Sequence, residues 1–492
     1  MHRLVYRSLL TCHKCIIPLS RRQLSRHASS REGLPRAVSL DSVKSDSPYH
    51  FYQNKVLEEY VRRPANASTL RQYIFFGRQM TPQRLVTAAN WVRSELLTRL
   101  AHRIRDFQQL PFLVGTNPHI EYVYRLYWGA FEKIRQQPVI QDLEDNTHFC
   151  QVLRDLLEDG KLVVPRLARG VSECSAACYN HQDLDRFVNR MLRSRISRRT
   201  LAEQHIALTD ANEHGWVNED DGYIGIIYVR CSAHKVVQRA SSLVRNHAQQ
   251  VYGRLPPDIH VRVLNDTLHH GIQQQEQNDN EIIFAYVPEH LEYILFELIS
   301  NAVRYTLERH TQDKIPPVEV TVSANAKDVF FRISDQAGGI PSERYGQLWS
   351  YQNRHHLGNL ERGILKMPMD MRERAEQATD LGHEHVGMGL PMSRVYAEYW
   401  GGELQVMTMD GYGTDAYVRI PRLGTNAENL GLEDNPAAVK NERRKAKQQQ
   451  QQQSSHETSQ YNYHPSIVQK NTNLTSYALE SDGWSQSYMV RE

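Results

Sequence analysis

The sequence predicts two successive folds: a four-helix bundle, then an α+β domain whose mixed sheet is covered on one side by helices. Two observations carry this. From residue 51 to about 215, apolar residues recur at steps of three and four, in long stretches with short polar joints. From Gly222 onward, valines and aromatics alternate singly with polar residues in short runs closed by turn residues, with helical stretches between them. The boundary falls near residue 215, giving a helical part over 49–215 and an α+β part over 216–423.

Each element has its own justification. Thr81 precedes Pro82, a cap followed by a proline whose missing N–H and fixed φ suit a first helical turn. Leu85, Ala88, Ala89, Val92, Leu96, Leu100 and Ile104 then mark one face of a helix from Gln83 to Phe107. The breaker Gly115 to Pro118 precedes a second helix, from His119 past Phe131. Thr147 to Leu157 and about Asp183 to Ala207 are the third and fourth. Past the boundary, YIGIIYV (Tyr223 to Val229) reads as one buried strand. A helix follows from Glu289 to His310. Val318, Val320 and Val322 alternate, Asn325 to Asp328 turns the chain, and Val329, Phe331 and Ile333 return on a strand ending at Ser334 and Asp335. ELQVMTM and DAYVRI flank DGYG as a second hairpin.

The ends differ from the middle. Residues 1–31 hold no Asp or Glu but carry Arg3, Arg7, Lys14, Arg21, Arg22, Arg26 and Arg31 among serines. That is the composition of a mitochondrial transit peptide, so 1–48 is expected to be a transit peptide and linker, cleaved before Tyr49. The core is expected to stop near Leu423. Residues 424–492 read as a disordered polar tail with glutamines from Gln448 to Gln453, because such a segment buries too little apolar area to offset its ordering entropy. Its basic patch, Arg443 to Lys447, reads as a solvated tail and not as a nucleic-acid arm.

Composition excludes several classes. The 492 residues are 40% hydrophobic, which rules out a wholly disordered chain. No run reaches the roughly 18 apolar residues needed to cross a bilayer, so no membrane span is expected. A net charge of +3 does not suggest a dedicated nucleic-acid binder. Six cysteines in this length form no disulfide framework, and Cys12 and Cys15 lack a second pair at zinc spacing.

The chemistry concentrates in the helix from Glu289 to His310. Leu291, Ile294, Leu295, Leu298 and Ala302 form its apolar stripe, and Glu297, Asn301 and Arg304, four and three apart, line one edge. An amide oxygen is a hard ligand suited to Mg²⁺, and a carboxylate can hold a water or take a proton. Taken alone, that edge suits an ordinary solvated face as well. Two further elements weigh against it. The strand ending in Asp335 runs into Gln336–Ile340, QAGGI, which sets a carboxylate at the rim of a pocket. GMGLP, Gly387 to Pro391, opens a helix, and glycines before a helix N-terminus let backbone N–H groups reach a phosphate. Gly413, Thr414 and Asp415 follow on the terminal hairpin.

In this order the elements resemble the GHKL ATPase superfamily of gyrase B, MutL and histidine kinases. One branch is similar over about residues 50–422: the mitochondrial protein kinases of pyruvate and branched-chain α-ketoacid dehydrogenases. TLRQYIFFG, LTRLAHRIRDFQQLPFLVGTNP, SRISRRTLAEQH and YIGIIYVR carry the likeness in the helical part. AYVPEHLEYILFELISNAVR and GLPMSRVYAEYWGGELQV carry it in the second. Tyr293, where the branch also has histidine, leans toward the branched-chain member.

The resemblance implies a Bergerat-type ATP-binding α/β sandwich after the bundle. By position it implies Glu297 as the general base for a substrate serine and Asn301 as the Mg²⁺ ligand, with Arg304 in the same nucleotide site. Asp335 would read the adenine amino group, with Gly339 beside it, and Thr414 would support adenine through water. Gly387, Met388, Gly389 and Leu390 would form the phosphate-facing hinge of an ATP lid over residues 340–386. ATP, Mg²⁺ and K⁺ are the implied cofactors. The implied activity is a mitochondrial-matrix serine kinase that inactivates a dehydrogenase through its E1α subunit, docks on the lipoyl domain of the E2 core and forms a homodimer. His205 sits at the family's histidine, in a structural or regulatory role or simply as a satisfied core histidine.

The sequence also departs from the family pattern. Ser300 stands where the helix usually has lysine, Ala337 replaces a glycine of the acidic turn, and His385 replaces a lid glycine. Arg354 and His355 occupy a paired Ser/Thr position and are candidate replacements for the lost cation. These changes keep open a second class, an ATP-binding but silent paralogue that modulates an active kinase. A histidine kinase is disfavoured, since no receiver or sensor accompanies ISNAVRYT.

Overall fold

The structure, a computed structural model of the chain, describes residues 48–78, 80–175, 181–213, 222–265, 281–310, 315–351 and 388–431. The transit-type segment with Cys12 and Cys15, the boundary near 215, Gly387, Arg354, His355, His385 and the tail from 432 lie outside the described residues.

The first part is helical. After α1 (Pro48–Val61) and α2 (Leu70–Arg78) comes α3 (Pro82–Gln108), whose cap is Thr81: its hydroxyl accepts the Arg84 N–H at 3.3 Å, with Pro82 at the first turn. A single turn, α4 (Phe112–Gly115), leads to α5 (Pro118–Arg135), capped by Asn117, which accepts the His119 N–H at 2.9 Å. Then come α6 (Leu143–Asp159), α7 (Val163–Ser175) and α8 (His181–Glu213). Ala89, Leu100, Ile104, Phe131, Phe149 and Phe187 are buried between them.

Helix α7 has no counterpart in the periodicity reading, which Pro165 and Gly170 interrupt. The proline falls in the first turn, where it is tolerated. Gly170 lets α7 approach α5 closely, since a β-carbon there would lie 2.8 Å from the Ile120 side chain. His205 is buried on α8. Its Nε2 donates to Asn146 Oδ1 at 2.8 Å, and burial lowers its pKa to about 4. This is a satisfied, neutral core histidine.

YIGIIYV is not one buried strand. Gly225 takes φ +61° and the chain reverses, so β1 (Tyr223–Ile224) pairs antiparallel with β2 (Ile227–Ser232). Tyr223 is exposed. After α9 (Ala233–Tyr252) come β3 (Ile259–Asn265), β4 (Ile283–Tyr286) and α10 (Pro288–Arg309). They are followed by β5 (Val318–Ala324), β6 (Asp328–Asp335), α11 (Ser342–Tyr345), α12 (Gly389–Tyr399), β7 (Glu403–Met409) and β8 (Gly413–Pro421). β4 joins β2. The main sheet has five strands in the order β3-β5-β6-β8-β7, with β3 parallel to β5 and the other pairs antiparallel. Val318, Val320, Val322, Val329, Phe331 and Ile333 are buried in alternation, the face on which α9, α10 and α12 pack.

The helical part and the sheet part are joined by polar ties. Arg193 on α8 donates to Glu398 on α12 at 2.7 Å. Tyr351 is buried against α8: its N–H donates to Asp185 at 3.0 Å and its hydroxyl to Asn189 at 2.8 Å. The third tie corrects an expectation. Residues 424–431, assigned from sequence to the polar tail, pack onto the fold. Glu428 accepts two bonds from Arg99 on α3, at 2.7 and 3.0 Å, and a third from Tyr399 at 2.5 Å. The polar composition is real, but its carboxylate is neutralised by a partner far away in sequence.

Candidate active site

Helix α10 forms the wall of a cavity of about 370 Å³, within the range of small-molecule sites. Of the residues singled out from sequence, Glu297, Asn301, Arg304, Asp335, Gly339, Met388, Gly389, Leu390 and Thr414 all line it. Its apolar surfaces come from Leu298 and Ala302 of α10, Ile333 of β6, Val406 of β7 and Ala416 of β8. An aromatic base can bury its faces on such surfaces.

Glu297 is 8% exposed, and Asn301 follows one turn later, half-buried. Arg304 is held by Glu308 through an Nε–Oε1 bond of 2.7 Å. Gly389, the first residue of α12, faces Glu297: a β-carbon at 389 would collide with the carboxylate. The first turn of α12 carries no acidic residue and Met388 provides no side-chain cap. Its leading N–H groups and positive dipole end therefore suit an anion.

Asp335 ends β6, directly paired with Thr414 of β8. Its Oδ1 accepts the Ala337 N–H at 2.9 Å and the Thr414 N–H at 3.2 Å. Both bonds fall on one oxygen, which leaves Oδ2 for a ligand. Burial raises its pKa above the ordinary carboxylate value, against the two N–H bonds. Ala337 does not disturb the turn. It supplies one of those N–H groups, while the positive φ angles fall on Gly338 and Gly339. Gly413 must be small for a different reason, since a β-carbon there would overlap the Asp335 carbonyl.

Asn301 offers one hard oxygen to the cavity. Among the described residues no group of three or more His, Cys, Asp or Glu could hold a metal. The donor set therefore fits Mg²⁺ bound mainly by phosphate oxygens and waters, the usual mode for that ion, with one protein ligand. Sequence reasoning missed Tyr305, Ile340, Pro341, Arg344 and Leu348, which also line the cavity. Tyr305 follows Arg304 by one residue and could have been found from it. Arg344 lies in a one-turn helix with no pattern to mark it.

Residues 67–228 match the family described as "Mitochondrial branched-chain alpha-ketoacid dehydrogenase kinase". Residues 286–424 match "Histidine kinase-, DNA gyrase B-, and HSP90-like ATPase". The chain is 31% identical over 366 residues to the mitochondrial [pyruvate dehydrogenase (acetyl-transferring)] kinase of Arabidopsis thaliana, covering 74% of this chain and 92% of that one. It is 29% identical over 448 residues to kinase 2 of that name from Saccharomyces cerevisiae, covering 79% and 88%. It is 28% identical over 419 residues to isozyme 4 from Mus musculus, covering 84% and 90%.

Proposed function

Since the chain belongs to the mitochondrial α-ketoacid dehydrogenase kinase family of GHKL ATPases, we propose that its cavity binds Mg-ATP and passes the γ-phosphate to a serine on a dehydrogenase E1α subunit. The enzyme is an ATP-dependent protein serine kinase of the mitochondrial matrix, and its relatives are named for pyruvate dehydrogenase. The observation that carries the reading is the single cavity that gathers Glu297, Asn301, Asp335 and the α12 N-terminus.

Each residue has a task. Asp335 Oδ2 accepts the adenine amino group, and Gly339 and Thr414 keep that corner narrow. Asn301 and the α12 N–H groups, from Met388 through Leu390, hold the phosphate end, with Arg304 at the same wall. Mg²⁺, when bound, neutralises charge on the transferring phosphoryl group. Glu297 orients the serine hydroxyl and takes its proton. Positioning and electrostatics supply most of the catalysis in such transfers.

The rest of the chain is read in the same frame. Residues 1–48 serve import, 49–215 form the helical-bundle part and 216–423 the ATP-binding part. Helices α3, α5, α6 and α8 make up the four-helix bundle. Phe75 and Phe76 on α2, 60% and 61% exposed, offer an apolar surface to the lipoyl domain of E2. The edge strand β7, with Met407 and Met409 exposed, is a surface on which a second copy can pair.

The test is phosphate transfer from radiolabelled ATP to purified pyruvate and branched-chain dehydrogenase complexes, each in turn. Label on an E1α serine is expected. Label on neither complex would overturn the kinase reading and leave a silent ATP-binding regulator.

A further inference from the structure

The end of α10 grips the turn that carries Asp335. His310, the residue that caps α10, has its Nε2 2.9 Å from the Gln336 carbonyl oxygen. A carbonyl only accepts, so Nε2 carries the proton and donates it. Arg309, the last helical residue, donates through Nη2 to the Gly411 carbonyl at 3.2 Å. The same guanidinium covers Gly338, which takes φ +92°: a β-carbon there would overlap it.

The two turns also hold each other. The Gly338 N–H donates to the Tyr412 carbonyl and the Gly411 N–H to the Gly338 carbonyl, both at 2.9 Å. The two N–H groups that orient Asp335 belong to these same segments: Ala337 from the first, and Thr414 just past the second. Arg309, in the last turn of α10, also complements the helix dipole.

We propose that Arg309 and His310 are positioning residues for the nucleotide base. They tie the Gln336–Gly338 turn and the Gly411 turn to α10, and so fix Asp335 Oδ2 where it reads the adenine amino group. The helix that carries Glu297 and Asn301 thereby also sets the base-reading carboxylate, placing base and phosphates in register on one rigid element. This rests on the reading of the cavity as an ATP site.

The experiment uses the full chain and four variants: Arg309→Ala with His310→Ala, His310→Ala alone, His310→Gln and Arg309→Lys. Calorimetry gives affinities for ATP and GTP, and steady-state kinetics gives KM and kcat. The double-alanine variant should bind ATP about 5- to 30-fold more weakly, the worth of one or two hydrogen bonds. Its KM should rise in parallel, its kcat should stay within about twofold, and its preference for ATP over GTP should shrink. His310→Gln keeps an N–H donor and should recover most of the ATP affinity. If the double variant does not fold, His310→Ala alone carries the same expectation, at the low end of that range. A folded variant with unchanged KM and base preference would overturn the proposal, as would equal loss for ATP and GTP. Wild type that binds no ATP would overturn the nucleotide reading and this proposal with it. Wild type that binds ATP beside an unaffected variant would overturn this proposal alone.

Discussion

Gly389 stands flush against Glu297, leaving no room for a β-carbon between the α12 backbone and the carboxylate. Its φ is not in the left-handed region, so the requirement is one of space and not of backbone freedom. Gly389→Ala should therefore displace the Glu297 side chain. Turnover should fall about 100-fold, the usual cost of a catalytic group moved by an ångström or so. The double variant with Glu297→Gln should fall little below Glu297→Gln alone, because both changes act on one carboxylate. Fully multiplicative losses in the double variant would show that Gly389 acts elsewhere.

Glu297 and Asn301 lie one turn apart and should separate in kinetics. Glu297→Gln is isosteric, so Mg-ATP affinity should hardly change while turnover falls by about 10²–10⁴. Asn301→Ala should weaken Mg-ATP binding and abolish transfer together. A rate above background that survives Glu297→Gln would place the base at another residue.

Asp335→Ala should weaken ATP binding about 10- to 150-fold, the range for a hydrogen bond to a charged group. GTP, which lacks the adenine amino group, should be affected far less. Calorimetry on the folded variant that finds ATP affinity unchanged would move the base pocket elsewhere.

Arg99 and Glu428 are each 3% exposed, so their pairing should be costly to break from one side. Glu428→Gln leaves a buried guanidinium with Glu95 as its remaining carboxylate partner, 2.9 Å away. A loss of roughly 3–5 kcal/mol is expected. Replacing both Arg99 and Glu428 by apolar residues should lose less than the two single losses combined. Denaturant unfolding that shows Glu428→Gln within about 1 kcal/mol of wild type would contradict this.

His205 gives a pH signature. Burial lowers its pKa from 6.5 to about 4, so the neutral form belongs to the folded state. The unfolded chain binds the extra proton first, and stability is lost as pH falls from 6.5 through 4. The difference is worth at most about 3 kcal/mol. His205→Gln should flatten the fall of the unfolding midpoint over that window. Parallel curves for the two proteins would show that His205 is not the group responsible.

Much of this was legible in sequence because it is local. Thr81–Pro82 marks a helix start through a cap that acts over three residues, the breaker Gly115 to Pro118 marks another, and Val318 to Ile333 mark a hairpin through simple alternation. The spacing of Glu297, Asn301 and Arg304 placed them on one wall before any fold was known. What escaped was long-range or masked by local breakers. Pro165 and Gly170 hid α7, and Gly225 split what looked like one strand. Glu428 reads as tail until Arg99 is seen beside it. Arg344 joins the cavity only because the fold brings α11 over it.

The tie from Arg99 to Glu428 also sets an order of events during synthesis. The chain emerges from its N-terminus, and Glu428 follows Arg99 by 329 residues. At about 5–20 residues per second, that is an interval of roughly 15–65 s. Throughout it, the helical part can collapse around its apolar core, but Arg99 has only half of its eventual carboxylate company. Residues 424–431, beyond the last strand, then supply the missing charge. The helices thus reach their final stability only when nearly the whole ATP-binding part has been made, so a prematurely terminated chain carries a flaw in its first half that marks it as incomplete.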